Sequence, residues 1–431
     1  MTNTDNHNGI TTLPERPAIA PSAGHIPDVS PARPRPRFVR PPLSLPAKIG
    51  RKIYHLVHTT GWVADLVYWG AFHVQNALRS LRFRHLARNG ITQAQLHERR
   101  HLVPSSMLYT GVTNICNAKC VFCAYPKVVS SKTLQTGIMP FEIFKRAVDE
   151  WAAAGGRDLE LTTVVGEPLV DPGLLDKIDY AINQKGLSPV SLTTNGTLLD
   201  RNDTYKKLID LGVEAIFIST AGASREVYEK VYGVKKYDDY LSGLRHLLEY
   251  NKSQGEPARI HIHFRNAEKP SQIIHSPDFQ NYIKPFLSDK VRVNFTVDFD
   301  NWGGTIQPFD MIGNMRLRVL PPPLDLPCRR LFLYAVRHDG NVRLCGCRFA
   351  KSDMDELVVG NIKLKSLDEI SKSDAAWNII RGFYQGKRPE ACRACTFYDP
   401  IDRAWMDRRR TTDGCENEAP QARRPAGSEV S

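Results

Sequence analysis

Nothing at the start of this chain reads as an export signal. Residues Met1–Asn6 carry neither a basic start nor an apolar run, so a cytoplasmic protein is expected. Nothing reads as a membrane span either. A crossing needs ~20 consecutive apolar residues, and the stretch 47–89 is interrupted by Asp65 and by several His and Gly. Acidic side chains are scarce over residues 1–100, with 5 Asp/Glu against 14 Lys/Arg, so this segment holds +9 of the net +12. The basic character therefore belongs to an N-terminal extension and not to the body. It suits a peripheral contact with an anionic membrane surface or a solubilising arm, and no specific nucleic-acid partner is expected.

Residues 1–45 are rich in Pro and Arg, as in Pro31–Arg37, and lack apolar periodicity. They read as a disordered arm. Residues 46–100 read as a helical extension. Ile49, Ile53, Leu56, Val57, Val63, Leu66, Val67, Phe72, Leu78 and Leu81 recur at helical spacings, with Trp62, Tyr68 and Trp69 among them. Such a pattern fits a helical collar packed on the body, or an amphipathic helix pair lying on a membrane surface.

What the chain does have is cysteine. Nine are present, and three fall within Cys116–Cys123, spaced C-x3-C-x2-C. In a reducing compartment, cysteines in short motifs are more often metal-binding or catalytic than disulfide-bonded. Three thiolates on one loop hold three irons of an iron–sulfur cluster and leave the fourth open. A zinc knuckle is the alternative, although zinc sites usually need four ligands in two C-x2-C-like pairs.

From residue 106 strands and helices alternate. Strands are expected at 107–112, 158–165, 189–194, 215–220, 259–264 and 291–299. Helices are expected at 140–154, 174–185, 201–211, 237–252 and about 277–288. Repeated β-α units argue for an α/β fold with a parallel sheet. In the fifth strand His261, His263 and Arg265 share one face, and Ile260, Ile262 and Phe264 the other. In the sixth, Arg292, Asn294, Thr296 and Asp298 oppose Val291, Val293, Phe295 and Val297. The apolar sets should face covering helices and the polar sets the interior. Asp298, Asp300 and the histidines are candidate acid–base groups.

With Phe122 before the third cysteine, the loop reads C-x3-C-x-Φ-C and resembles the radical S-adenosylmethionine (radical SAM) superfamily. The resemblance implies a partial (β/α)6 TIM-like barrel over 101–310. It implies a [4Fe-4S] cluster on Cys116, Cys120 and Cys123 that binds SAM through its open iron and cleaves it to a 5′-deoxyadenosyl radical. Gly166-Glu167-Pro168 looks like the family's G-G-E segment, which receives the SAM amino group, with Val165 in place of the first Gly. Thr194, Asn195 and Ser219, at the next strand ends, suit a ribose or a carboxylate. Two departures stand out. Ser219–Gly222 resembles a segment that often reads Ser-x-Asp-Gly, with Ala221 at the Asp. Tyr232 stands where relatives often carry an Arg, and Arg265 is the substitute expected to meet the SAM carboxylate.

The remaining cysteines lie late in the chain. Cys328 precedes a hairpin signal at Arg337–Asn341, and Cys345, Cys347 and the pair Cys392/Cys395 follow. A hairpin followed by C-x2-C resembles the SPASM/twitch extension of radical SAM enzymes. The resemblance implies an extension over 311–400 with one auxiliary [4Fe-4S] cluster on Cys328, Cys345, Cys392 and Cys395, with Cys347 as an alternative ligand. Residues 401–431 read as a disordered tail that holds Cys415.

The implied function is hydrogen abstraction from a small-molecule or sugar-like substrate, as a net oxidation assisted by the auxiliary cluster. An electron donor such as flavodoxin or ferredoxin is implied with it. Maturation of a peptide or protein is the alternative within the class. A non-catalytic zinc- or nucleic-acid-binding protein is the alternative outside it.

Overall fold

The computed structural model describes residues 56–57, 60–98 and 107–408, apart from 163, 297, 347–348, 350–351 and 353. The expected arm over 1–45, Cys347, and the tail from 409 with Cys415 lie outside the described residues.

Six strands run parallel and side by side in chain order: β1 (Leu108–Thr110), β2 (Leu159–Glu160), β3 (Val190–Thr194), β4 (Ala215–Thr220), β5 (Arg259–Arg265) and β6 (Val291–Thr296). Helices fill the crossovers, among them Phe141–Ala153, Leu174–Asp179, Thr204–Asp210, Tyr237–Ser253 and Pro270–His275. The alternation is the expected one, and the result is an α/β partial barrel. Each helix is held by its apolar stripe. In Phe141–Ala153 the buried set is Phe144, Ala147, Val148 and Trp151, at the i, i+3, i+4, i+7 spacing that points one helix face at a sheet.

The strands follow the expected alternation. Along β5, Ile260, Ile262 and Phe264 are fully buried while the residues between them are only partly so. Phe264 stacks on Phe295 of β6 at 5.5 Å and meets Phe279 from the covering helix at 6.1 Å. The polar set of β6 differs from expectation. Arg292 and Asn294 are exposed, and among the described residues β6 is the last strand of its sheet.

Three expected strands are shorter than the periodicity suggests, the first being 107–112, which forms β1 only over Leu108–Thr110. The span 158–165 pairs as a strand only over Leu159–Glu160, since the chain turns off towards Gly166 and Glu167. The span 291–299 divides. After β6, a short β7 (Asp298–Phe299) leaves the main sheet to pair with β8 (Arg316–Leu317).

The C-terminal hairpin does not stand apart from the barrel. Strand β9 (Tyr334–Val336) pairs in parallel with β1. β10 (Asn341–Leu344) and β11 (Val358–Asn361) then continue the same sheet in antiparallel fashion. The full order is β11-β10-β9-β1-β2-β3-β4-β5-β6. The helical stretch expected near 367–383 is two helices, Leu367–Lys372 and Asp374–Tyr384. They are separated by Ser373, whose hydroxyl caps the second by accepting from the Ala376 N–H.

Within the expected helical extension, a short helix runs over Gln93–Glu98 and one continuous helix over Gly61–Asn89. Its inner face is a collar. Gly61 packs closely there: a Cβ would meet the exposed His275 ring, which would have to move aside. The Asp65 carboxylate accepts from the Ser271 N–H at 2.9 Å and its hydroxyl at 2.6 Å. The Tyr68 ring packs edge-on against Phe295 at 5.4 Å, and its hydroxyl accepts from the Phe295 N–H at 3.4 Å. A side chain thereby packs along the β6 edge. Farther along, Arg79 donates to the Thr396 carbonyl at 2.7 Å, and Arg82 pairs with Asp399 at 2.5 Å and Asp402 at 2.7 Å.

Candidate active site

The three-cysteine loop follows β1, at the carboxyl end of the sheet where parallel α/β folds build their sites. Backbone bonds tie it to the end of helix Arg225–Tyr232. The Lys119 N–H donates to the Tyr232 carbonyl at 2.8 Å and the Val121 N–H to the Val231 carbonyl at 2.9 Å. Gly233 makes this approach possible. Its φ is +66°, and a Cβ would sit 2.9 Å from the Lys119 carbonyl oxygen.

Cys116, Cys120 and Cys123 are each part-buried. Burial pushes the Cys116 thiol up to about 12, and the nearby Glu167 and Cys123 add to the effect. Burial raises Cys120 as well, helped by the other two thiols. Three thiols within electrostatic reach of one another resist ionisation unless a cation joins them. The Tyr125 N–H already points at the Cys123 sulfur at 3.4 Å. Soft thiol donors in a drier, N–H-lined loop fit an iron–sulfur cluster. Among the described residues, no three His, Cys, Asp or Glu side chains gather as one metal ion requires. In a cubane each thiolate meets a different iron, so the thiols need not converge on one point.

Two groups of expected residues come together beside the loop. The first centres on Glu167, whose buried carboxylate accepts from the Thr194 hydroxyl at 2.6 Å, the Asn195 N–H at 2.6 Å and the Leu169 N–H at 3.1 Å. Burial raises this carboxyl to about 7 against those stabilising bonds. The Asn195 amide then donates to the Asn117 side chain, inside the cysteine loop, at 2.7 Å. Gly166 precedes Glu167 with φ +124°.

The second group centres on Ser219 at the end of β4. The Tyr232 hydroxyl donates to Ser219 Oγ at 3.0 Å, and Arg265 Nε at 3.4 Å. The Arg265 guanidinium lies 5.8 Å from the centre of the Phe122 ring. Phe122 also meets Tyr232 at 5.9 Å and Phe299 at 5.4 Å. Tyr232 thus fills its position with a buried hydroxyl, while Arg265 brings a cation to the same place from β5.

Of the candidate acid–base groups, Asp298 is bound to Arg318 at 2.6 Å. Asp300 accepts from the Trp302 N–H at 3.2 Å. His261 stacks on Phe217 at 4.9 Å, and His263 meets the same ring edge-on at 5.7 Å. Burial pushes His261 down to about 4 and His263 to about 3, with neighbouring Arg side chains adding to both. Both are neutral at physiological pH.

The second cysteine set is also assembled by the fold. Cys328 is buried, and Cys345, Cys392 and Cys395 are part-buried. Burial raises the Cys392 thiol, and Cys395 and Cys328 are close enough to add to it. Cys345 adopts φ +66°, a left-handed backbone that non-glycine residues seldom take, just past the end of β10.

Sequence reasoning missed four residues around these sites. Arg343 is a fully buried cation, paired with both Asp355 oxygens at 2.9 and 2.6 Å, and it also donates to the Cys345 carbonyl. Asn301 and Trp302 join the two cysteine regions. The Trp302 indole donates to the Phe122 carbonyl at 2.9 Å, and the Asn301 amide donates to the Ala394 carbonyl at 2.8 Å. Glu160 is a buried carboxyl raised to about 7 by burial, bonded to the Ser191 and Thr162 hydroxyls. Alternation along β2 is too short to expose Glu160, and Asn301-Trp302 falls in a loop without periodic signal.

Residues 110–262 match the radical SAM superfamily, and residues 328–396 match the SPASM iron–sulfur cluster-binding domain. A probable GTP 3′,8-cyclase of Metallosphaera sedula is 31% identical over 176 residues, covering 40% of this chain and 51% of that one. The GTP 3′,8-cyclase of Desulforamulus reducens is 28% identical over 142 residues, covering 33% and 42%. The chain spans about half the length of these curated relatives. The crystal structure of BtrN in complex with AdoMet and 2-DOIA is 18% identical with a TM-score of 0.44, covering 68% of this chain and 92% of that one. The two domain matches set aside the non-catalytic zinc- or nucleic-acid-binding alternative. Their cofactors are SAM, a SAM-binding [4Fe-4S] cluster and auxiliary iron–sulfur chemistry. The chain carries both domains in order, and it is a radical SAM enzyme with a C-terminal SPASM domain.

Proposed function

We propose that the enzyme removes a hydrogen atom from a small-molecule or sugar-like substrate, as a net oxidation aided by one auxiliary [4Fe-4S] cluster. The observation that carries the site assignment is the bond from Asn195 to Asn117. It joins the buried Glu167 network at the strand ends to the loop of Cys116, Cys120 and Cys123. Those three thiolates would hold a [4Fe-4S] cluster, which would supply the reducing electron for SAM cleavage.

The chain's own groups bind and orient. A carboxylate accepts about four hydrogen bonds, and Glu167 spends three on Thr194, Asn195 and Leu169. The fourth direction receives the SAM ammonium. Arg265, placed over Phe122 and bonded to Ser219, supplies the positive charge for the SAM carboxylate. His261 and His263 are neutral and offer donor and acceptor nitrogens to a hydroxyl-bearing substrate. The curated relatives named as GTP 3′,8-cyclases add a precedent for a small molecule. Cys328, Cys345, Cys392 and Cys395 would hold the auxiliary cluster, which would supply an electron acceptor for the oxidation. Flavodoxin or ferredoxin serves as donor. The protein acts in the cytoplasm, and its basic N-terminal region contacts the membrane surface peripherally.

The test is anaerobic. Reconstituted protein should hold about eight irons per chain and release 5′-deoxyadenosine from SAM and a reductant. Deuterium from the true substrate should appear in that product. SAM cleavage that survives Cys116→Ala would overturn the site assignment, and transfer only from a peptide would move the substrate to the maturation class.

A further inference from the structure

The helix Gly61–Asn89 has a second face. Trp62, Leu66, Trp69, Val74, Leu78 and Leu81 are 45–71 % exposed. At 100° per residue they fall within about half the helix circumference, opposite the collar face that holds Asp65, Tyr68, Arg79 and Arg82. Twenty-nine residues make a helix ~43 Å long. So extended an exposed apolar stripe is unusual on a soluble surface and marks an interaction site. Among the described residues no helix is long and apolar enough to cross a membrane.

Charge selects the occupant. Asp65 is the one acidic residue in the helix, and it is drawn inward to Ser271. Arg84 and Arg88 are exposed at the far end of the stripe. Arg316 adds a third cation at the rim, 4.4 Å from the centre of the Trp69 ring. Two tryptophans and an apolar stripe on a helix without an outward carboxylate, with arginines at its rim, match the headgroup–acyl boundary of an anionic bilayer.

We infer that this outer face docks in the plane of an anionic lipid bilayer. The apolar stripe enters the acyl boundary, and Arg84, Arg88 and Arg316 meet lipid phosphates. The inference goes beyond peripheral contact through the basic arm, because it puts the binding energy on the ordered helix. It is independent of the radical chemistry.

Vesicle flotation of the full holoenzyme tests it, using phosphatidylcholine vesicles with and without phosphatidylglycerol. The parent should float with the anionic vesicles and far less with the neutral ones. The triple variant Trp62→Ser, Leu66→Ser, Leu78→Ser should lose about tenfold or more in affinity with its melting temperature unchanged, since all three side chains are exposed. Serine at Arg33, Arg35, Arg37 and Arg40 should weaken binding less than the triple variant. Three results overturn the inference: a parent that floats with neither vesicle, a triple variant that binds as the parent does, or a parent dimer that the triple variant converts to monomer. The last assigns the face to a second copy of the chain.

Discussion

The indole N–H of Trp302 donates to the backbone carbonyl of Phe122 at 2.9 Å, inside the loop that carries the first three cysteines. The same residue packs against Phe349 at 5.6 Å, in a small core with Tyr125, Val128 and Ile306. Trp302→Phe should keep most of the packing and lose the bond, at a cost of about 1 kcal/mol. Trp302→Ala should cost about 3–5 kcal/mol through the cavity it leaves. Chemical denaturation under anaerobic conditions measures both. Equal losses for the two variants would show that the bond, and not the packing, dominates.

Gly233→Ala tests the support of the loop. The residue takes a left-handed backbone, which costs a β-carbon about 1–2 kcal/mol, and the new atom meets the Lys119 carbonyl. The cysteine loop should shift. Iron content should fall towards that of a variant lacking the first site, while the auxiliary site stays filled. Full iron loading would show that the loop accommodates the methyl group.

Glu167→Gln replaces one carboxylate oxygen with an amide donor. Thr194, Asn195 and Leu169 all donate to this side chain, so the amide N–H group faces a donor it cannot satisfy. SAM affinity should fall about tenfold or more, near 1.4 kcal/mol. Calorimetric titration of SAM into the reconstituted variant checks it. Unchanged affinity would remove Glu167 from the SAM site.

The buried titrating groups oppose one another with pH. Glu160, raised to about 7 by burial, holds a proton in the folded state that the unfolded chain releases at a lower pH. Its contribution is therefore full below the usual carboxyl range and is lost as pH rises towards 7. His263, pushed down to about 3 by burial, does the reverse. The unfolded chain takes up its proton near pH 6.5 and the folded state does not, so stability falls as pH drops below that value. Between about pH 4.5 and 6.5, Glu160→Gln should tilt the melting temperature upward with pH relative to the parent, and His263→Gln should tilt it downward. Parallel slopes in both variants would contradict the assignment.

Arg343 is buried beside the second cysteine set, and Asp355 and the Cys345 carbonyl depend on it. Arg343→Met should cost about 3 kcal/mol by stranding Asp355. Removing this cation should also make the auxiliary centre harder to reduce, which potentiometric titration followed by EPR reads directly. A potential unmoved by the change would place the cluster away from Arg343.

Much of the barrel was legible because its signals are local. The apolar spacing of Phe144, Ala147, Val148 and Trp151, and the alternation of His261 to Phe264, each need only a few neighbouring residues. The cysteine loop and Glu167, Thr194 and Asn195 were legible as an ordered set at strand ends. What the chain hides is contact at long separation. Tyr232 meets Ser219 across 13 positions, but Trp302 meets Phe122 across 180 and Asn301 meets Ala394 across 93. Periodicity carries no record of such pairs. The pairing of β9 with β1 was hidden for the same reason, because Tyr334 and Leu108 share no local pattern.

That pairing limits how the enzyme can open. With β9 hydrogen-bonded along β1, the SPASM hairpin is a fixed wall on one flank of the barrel and cannot swing aside without breaking the sheet. Among the described residues the opposite flank ends at β6, where Tyr68 of the helix that carries the apolar stripe accepts from the Phe295 N–H. Any widening for substrate has to come from parts of the barrel that this pairing does not tie down.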